Sequence, residues 1–173
     1  MPTPQRTSLA EIVGAGREVL ETGGPDRVTM QAVAERVGVR APSLYKRVQG
    51  RESLLTLIAA ATLQELRERL AAQDSLAAMA HAYRAFAHER PEGFRLLSTR
   101  SASAEDLARA SEPVLAAARA AVGDADALEA ARFMTAWLTG FISMELAGAF
   151  RLGGDLDRAF AYGIDRVTAA LAG

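Results

Sequence analysis

The chain has 173 residues, half of them hydrophobic, which suits one or two small domains with a real core. It has no Cys, which excludes disulfides and thiolate metal sites, and its net charge of −1 argues against a nonspecific nucleic-acid coat. Ala is abundant, aromatics make up 6% and β-branched runs are short, so packed helices are expected rather than sheet.

The charge is unevenly spread. Residues 1–51 hold eight basic and five acidic side chains, a net +3, whereas residues 52–173 hold twelve and sixteen, a net −4. A cationic head on an acidic body is the asymmetry expected when one end meets phosphate. The stretch Met1 to Ser8 is short and polar and lacks the apolar run of a signal peptide. The expected location is the cytoplasm.

In chain order, Ser8-Leu9-Ala10-Glu11 has the form of a capping box and opens a first helix with an apolar stripe through Leu9, Ile12, Val13, Ala15, Gly16, Val19 and Leu20. Gly23-Gly24-Pro25 ends it. Thr29 is placed to cap a short second helix, Met30 to Val37, which Gly38 stops; a third short helix is expected from about Pro42 to Val48. A long helix follows over Glu52 to Ala72, then one starting at Asp74 or Ser75 and ending near Arg90-Pro91, a short helical piece to about Ser98, and a loop at Ser101 to Ser103. Further helices are expected over Ala104 to Val122, with Pro113 a potential kink, over Asp126 to Leu152, stopped by Gly153-Gly154, and from Asp155 or Leu156 to Leu171. The reading is all-α with about nine helices, divided into residues 1–51 and 52–173.

The informative segment is Met30 to Val48. Two short helices that cross closely need a small residue at the contact, which Ala34 supplies, and a turn residue tolerant of positive φ, which Gly38 supplies. Val33, Val37, Val39, Leu44 and Val48 fall where these helices share a core with the first helix. That leaves the outer face of the later helix free to enter a major groove. Arg40, Ser43, Lys46 and Arg47 lie near this face, and Tyr45 adds a hydroxyl; Lys46 is the only Lys in the chain. Arg and Lys can donate to guanine edges or neutralise phosphate, and Ser and Tyr donate to phosphate. Thr29 and Gln31 open the preceding helix and are placed to meet a phosphate at a helix N-terminus. The bare spacing also fits any Ala-Gly helical hairpin with a solvated charged face; the cationic bias favours the DNA reader.

These residues resemble the tetracycline-repressor (TetR) family of regulators. The resemblance rests on Val28-Thr29-Met30-Gln31-Ala32-Val33-Ala34-Glu35-Arg36-Val37-Gly38-Val39, on Leu44-Tyr45-Lys46-Arg47-Val48 and on Arg51-Glu52-Ser53-Leu54-Leu55, three patterns in order with the family spacing. The stretch Ala136 to Leu146 looks like a branch named for a Trp-His-Gly signature; it keeps Trp137, but Leu138-Thr139 replaces the His, so no role of that His carries over. Arg40 stands where many relatives have a capping Ser or Thr, and Val48 where many have Phe. The resemblance implies an all-helical homodimer with a three-helix DNA-binding head and a connecting fourth helix. Its body is expected to bind a small apolar or amphipathic molecule that moves this helix and separates the heads. The function expected is a repressor released from a palindromic operator.

The body adds its own signals. Phe133 to Phe150 carries one charge, Glu145, and is apolar on all sides, so burial on all sides is expected, between the chain's own core and a partner subunit. Two Gly, three hydroxyl residues and Glu145 weaken a membrane-span reading. In the last helix Leu156, Phe160, Ile164, Val167 and Leu171 form one stripe, while Ala159, Gly163 and Ala170 would let a second helix approach. The last two helices are therefore expected to form a four-helix homodimer interface. Met79, Tyr83, Phe86, Phe94, Leu97, Met134, Trp137 and Phe141 are candidates to line an effector pocket, the alternative being ordinary core. Glu145 could orient a ligand or form an interface ion pair. His81 and His88, seven apart, lack the further ligands a metal site needs, so no metal or other cofactor is expected. No phosphate loop, dinucleotide fingerprint or zinc signature marks an enzyme.

Overall fold

The computed structural model describes residues 7–99 and 103–171. Among these it contains nine α-helices, one 3-10 turn at Pro25–Arg27 and no strand. The helices are α1 (Leu9–Gly23), α2 (Met30–Val37), α3 (Ala41–Leu44), α4 (Arg51–Ala71), α5 (Leu76–Glu89), α6 (Pro91–Thr99), α7 (Ala104–Val122), α8 (Ala127–Leu146) and α9 (Leu156–Leu171). The loop expected at Ser101 to Ser103 falls, apart from Ser103, outside the described residues.

The chain forms two compact units. The first runs to Leu63 and takes in Arg90–Ser103; the second comprises Gln64–Glu89 and the chain from Ala104. The first unit thus continues past residue 51 through the opening turns of α4 and recruits α6 from later in the chain.

In the first unit α1 starts with the full capping box. Ser8 Oγ accepts from Glu11 N at 3.1 Å, and Glu11 Oε2 accepts from Ser8 N at 2.7 Å. The Ser8 backbone amide holds the Glu11 carboxyl below its usual value. Ile12, Leu20, Val28, Val33, Ala34, Leu44, Val48, Leu54, Leu55 and Ile58 make one closed core, with Leu96 of α6 joining it. Glu21 on α1 anchors α6, accepting from Glu92 N at 3.2 Å and Gly93 N at 2.9 Å. Backbone amides at a helix start carry a partial positive charge, which suits this carboxylate.

In the second unit α5 packs against α7, α8 and α9, and α7 against α8. Pro113 sits inside α7, and the helix runs on beyond it. One expectation is corrected here: α8 ends at Leu146, not Leu152. Gly148 adopts φ +62, its N–H donates to the Glu145 carbonyl at 2.9 Å and Ala149 N–H to the Met144 carbonyl at 2.9 Å. That paired closure terminates a helix, so Gly153-Gly154 lies in the following loop and does not act as the stop. Within its own chain α8 buries one face. Met134, Leu138 and Ile142 are buried, but Phe133 and Met144 are 52% and 47% exposed. On α9, Phe160, Ile164 and Val167 are buried as one stripe. A Cβ at Gly163 would lie 2.2 Å from Trp137 Cζ2, so the space there is filled by the chain's own indole and not left for another helix. No helix among the described residues is long and apolar enough to cross a membrane.

Candidate nucleic-acid interface

The turn between α2 and α3 is built by Gly38, with φ +80 and ψ +29. Its N–H donates to the Glu35 carbonyl at 3.2 Å, and Val39 N–H donates to the Ala34 carbonyl at 2.9 Å. Only a residue without Cβ takes that conformation without strain. Ala34 is fully buried at the crossing.

Arg40 is the N-cap of α3 and makes no side-chain cap bond. Pro42 stands in the first turn instead, with its φ already set for a helix. The helix is shorter than expected, ending at Leu44, and residues 45–47 form a turn. Arg47 N–H donates to the Leu44 carbonyl at 2.9 Å, and so does Val48 N–H at 2.9 Å. The segment tightens so that Leu44 and Val48 both reach the core.

With those two side chains inward, Arg40, Ser43, Tyr45, Lys46 and Arg47 are all exposed. Among the described residues none forms an ion pair with Arg40, Lys46 or Arg47. Thr29 caps α2, its Oγ1 accepting from Ala32 N at 3.0 Å, and that bond does not use the hydroxyl hydrogen. Gln31 is exposed but occupied, its Nε2 donating to Glu35 Oε1 at 2.6 Å along the helix. Arg36 pairs with Glu18 at 2.5 Å and ties α2 to α1.

One residue of this unit had no role in the sequence reading beyond its place in a motif. Arg51 donates from Nε to the Val28 carbonyl at 3.0 Å and from Nη2 to the Pro25 carbonyl at 2.7 Å. The separation in sequence hides such a contact.

The candidate pocket residues are divided between the two units. Phe94 and Leu97 belong to the first unit, Phe94 buried and Leu97 packed against its core. In the second unit Phe86 and Met134 are fully buried. Tyr83 lies within hydrogen-bond distance of Thr139 Oγ1, at 3.2 Å, and burial pushes its hydroxyl pKa up. Trp137 and Phe141 lie 5.6 Å apart in a ring cluster with Phe150 and Phe160. Met79 instead lines an open cleft of about 410 Å³ together with Ala71, Pro113 and Ala116 and with the charged Arg67, Asp74 and Glu112.

Glu145 is paired within its own chain. Arg84 holds it with two bonds, Nε to Oε2 at 2.9 Å and Nη2 to Oε1 at 2.5 Å, and also pairs with Asp157 at 2.8 Å. His88 Nε2 lies 3.2 Å from the same carboxylate. The Arg84 bonds hold the Glu145 carboxyl below its usual value. His81 packs edge-on to Phe160.

A three-helix head with a polar, cationic face over a closed core, joined to a helical body, defines a helix-turn-helix DNA-binding regulator. Two family models match the chain: the tetR family of bacterial regulatory proteins over residues 12–58, and the tetracyclin repressor-like C-terminal domain over residues 76–167. The chain belongs to this family of transcription regulators, which are not enzymes.

Its relatives agree. The uncharacterised helix-turn-helix-type transcriptional regulator Rv0681 of Mycobacterium tuberculosis is 27% identical over 159 residues, 84% of this chain and 73% of that protein. The similarly described YobS of Bacillus subtilis is 30% identical over 87 residues, 46% of each chain. Among solved structures, SCO7222, a TetR from Streptomyces coelicolor, superposes with a TM-score of 0.80 at 22% identity, covering 96% of this chain and 98% of its own. A TetR variant from Acinetobacter baumannii AYE, solved with minocycline, gives a TM-score of 0.72 at 23% identity over 95% and 96%.

Proposed function

We propose that this regulator is a ligand-responsive repressor, acting in the cytoplasm as a homodimer on a palindromic operator and released from it by a small hydrophobic effector. The observation that carries the DNA reading is the exposed set Arg40, Ser43, Tyr45, Lys46 and Arg47 above the buried Leu44 and Val48. In this reading Lys46, Arg47 and Arg40 read guanine edges or phosphate, and Ser43 and Tyr45 donate to phosphate. Thr29 and Gln31 seat a phosphate at the start of α2, Gln31 exchanging its bond with Glu35.

Homodimerisation through α8 and α9 is supported by the exposed Phe133 and Met144 on α8 and Tyr162 on α9. Two heads on one duplex multiply affinity and call for a near-palindromic site. The effector reading is supported by the cleft at Met79, whose size suits a small organic molecule. It is also supported by the fold of a TetR that was solved with minocycline. Tyr83, Phe86, Met134, Trp137 and Phe141 are the side chains of the same unit proposed to line the effector site with Met79.

The test is DNA binding measured against salt, with a duplex enriched by the wild-type protein from a random-sequence library. Replacing Lys46 and Arg47 together with Ala is expected to weaken binding about a hundredfold and to lower the salt slope by about two. A double variant that binds as tightly as wild type would place the reading face elsewhere. For the effector, hydrophobic compounds are screened by thermal shift; a stabilising compound is expected to lose its effect in Trp137→Ala.

A further inference from the structure

We propose that Arg51 is the positioning residue for the phosphate-facing end of α2, an inference that rests on the DNA-binding reading above. The segment joining α1 to α2 is held by short-range backbone bonds, Gly24 N–H donating to the Leu20 carbonyl at 2.8 Å and Arg27 N–H to the Gly24 carbonyl at 3.2 Å, and by the buried Val28. Gly24 adopts φ +72, and the single 3-10 turn of Pro25–Arg27 is closed by Val28 N–H donating to the Pro25 carbonyl at 3.2 Å. Val28 is fully buried, and Thr29 follows directly as the N-cap of α2.

Arg51 is the first residue of α4, and its guanidinium spans this segment. Nε bonds the Val28 carbonyl at 3.0 Å and Nη2 bonds the Pro25 carbonyl at 2.7 Å, while Nη1 meets Glu52 at 3.2 Å. Asp26 lies at the edge of ion-pair range from Nη2, at 3.9 Å. A planar fork that bonds two acceptors fixes direction as well as distance. The carbonyl it holds belongs to the residue immediately before the cap. The fork therefore sets where Thr29 and the first amides of α2 stand, and a helix start binds an anion only if those amides are aimed at it.

The rival role for Arg51 is a direct cation on phosphate, and the two differ in what Lys can replace. An ammonium keeps the charge but offers one nitrogen where the fork offers two. The experiment measures affinity for the enriched duplex over a salt series for the full chain as wild type, Arg51→Lys and Arg51→Met. Positioning predicts that both variants lose about tenfold in affinity with the salt slope unchanged, because Thr29 and Gln31 are neutral contacts. It also predicts that adding Thr29→Val costs less in Arg51→Met than in the wild type, since both changes act on one seat.

Ile12→Val serves as a core variant. If its affinity falls as far as that of Arg51→Met at a matched loss of melting temperature, Arg51 is only structural and the proposal is overturned. It is also overturned if Arg51→Lys binds as wild type while Arg51→Met loses about one unit of salt slope, which is the signature of a direct phosphate cation. Wild-type binding by both variants overturns it as well. If the wild type shows no salt-dependent binding, the DNA reading fails first and the Arg51 proposal with it.

Discussion

The two compact units treat their apolar side chains differently. In the first, Leu9 and Tyr45 are the large hydrophobic residues left exposed, and Tyr45 sits on the proposed reading face. In the second, Leu107, Leu128, Phe133, Met144, Leu152 and Tyr162 are all exposed. A unit that hides its apolar surface and shows Arg40, Lys46 and Arg47 is built for a polar, anionic partner. A unit that leaves aromatic and aliphatic side chains in water has further apolar surface to cover. The contrast is what the proposed function rests on, with nucleic acid at one unit and chain association at the other, and each half of that proposal can be broken separately.

The largest effect is expected at the exposed face of α8. Phe133→Glu combined with Met144→Glu puts two charges where apolar burial is proposed. The dimer is expected to weaken by about 4 kcal/mol, roughly a thousandfold in dissociation constant. Sedimentation velocity reads this directly, and the melting temperature of the dissociated chain provides the control. A dimer that persists at wild-type strength would move the interface off α8.

How much of this was legible in the sequence follows from how far apart the cooperating residues lie. The Ser8 and Glu11 box, the Thr29 cap and the Gly38 turn each act within five residues, and the amino-acid order alone exposes them. The end of α8 is also local but was masked. Ala147-Gly148-Ala149 reads as helix continuing, and Gly153-Gly154 as the stronger stop, because the sequence does not show which glycine will pair its neighbours' amides with Met144 and Glu145. The contacts that organise the second unit are long-range. Arg84 meets Glu145 across 61 positions, and Trp137 fills the gap at Gly163. Nothing in a helical period selects these partners. The pocket candidates were chosen by side-chain type, which does not show that α6, with Phe94 and Leu97, folds into the first unit.

A smaller effect is expected at that long-range pair. Glu145 has only 8% of its side chain exposed, and its carboxyl is held below the ordinary value of 4.5 chiefly by the Arg84 bonds. A carboxyl with a depressed folded pKa stabilises above its unfolded value, and that stability is lost as pH falls through the folded one. Glu145→Gln is therefore expected to destabilise the chain by about 1–2 kcal/mol at pH 7. The gap between the two proteins is expected to close as pH drops below 4.5. Urea unfolding at a series of pH values measures it. A gap that stays constant with pH would mean the carboxylate acts through shape and not through charge.

The smallest effect tests the second unit alone, because it turns on what one added methyl group meets. Gly140 lies inside α8, is exposed, and has nothing within 4 Å of where a Cβ would stand. A helix-interior glycine surrounded by open space loses backbone entropy on folding without any packing return. In a lone chain Gly140→Ala should therefore stabilise by about 0.5–1 kcal/mol. If a second copy packs on this face, the same methyl meets the partner helix and association weakens, although each chain is more stable. Melting at low concentration, where the chain is dissociated, is expected to rise, while the dimer dissociation constant measured by sedimentation is expected to increase. An increase in melting temperature with association unchanged would show that α8 meets its partner, if at all, away from Gly140. A loss at both concentrations would show that this face is already filled within the chain, as the face at Gly163 is.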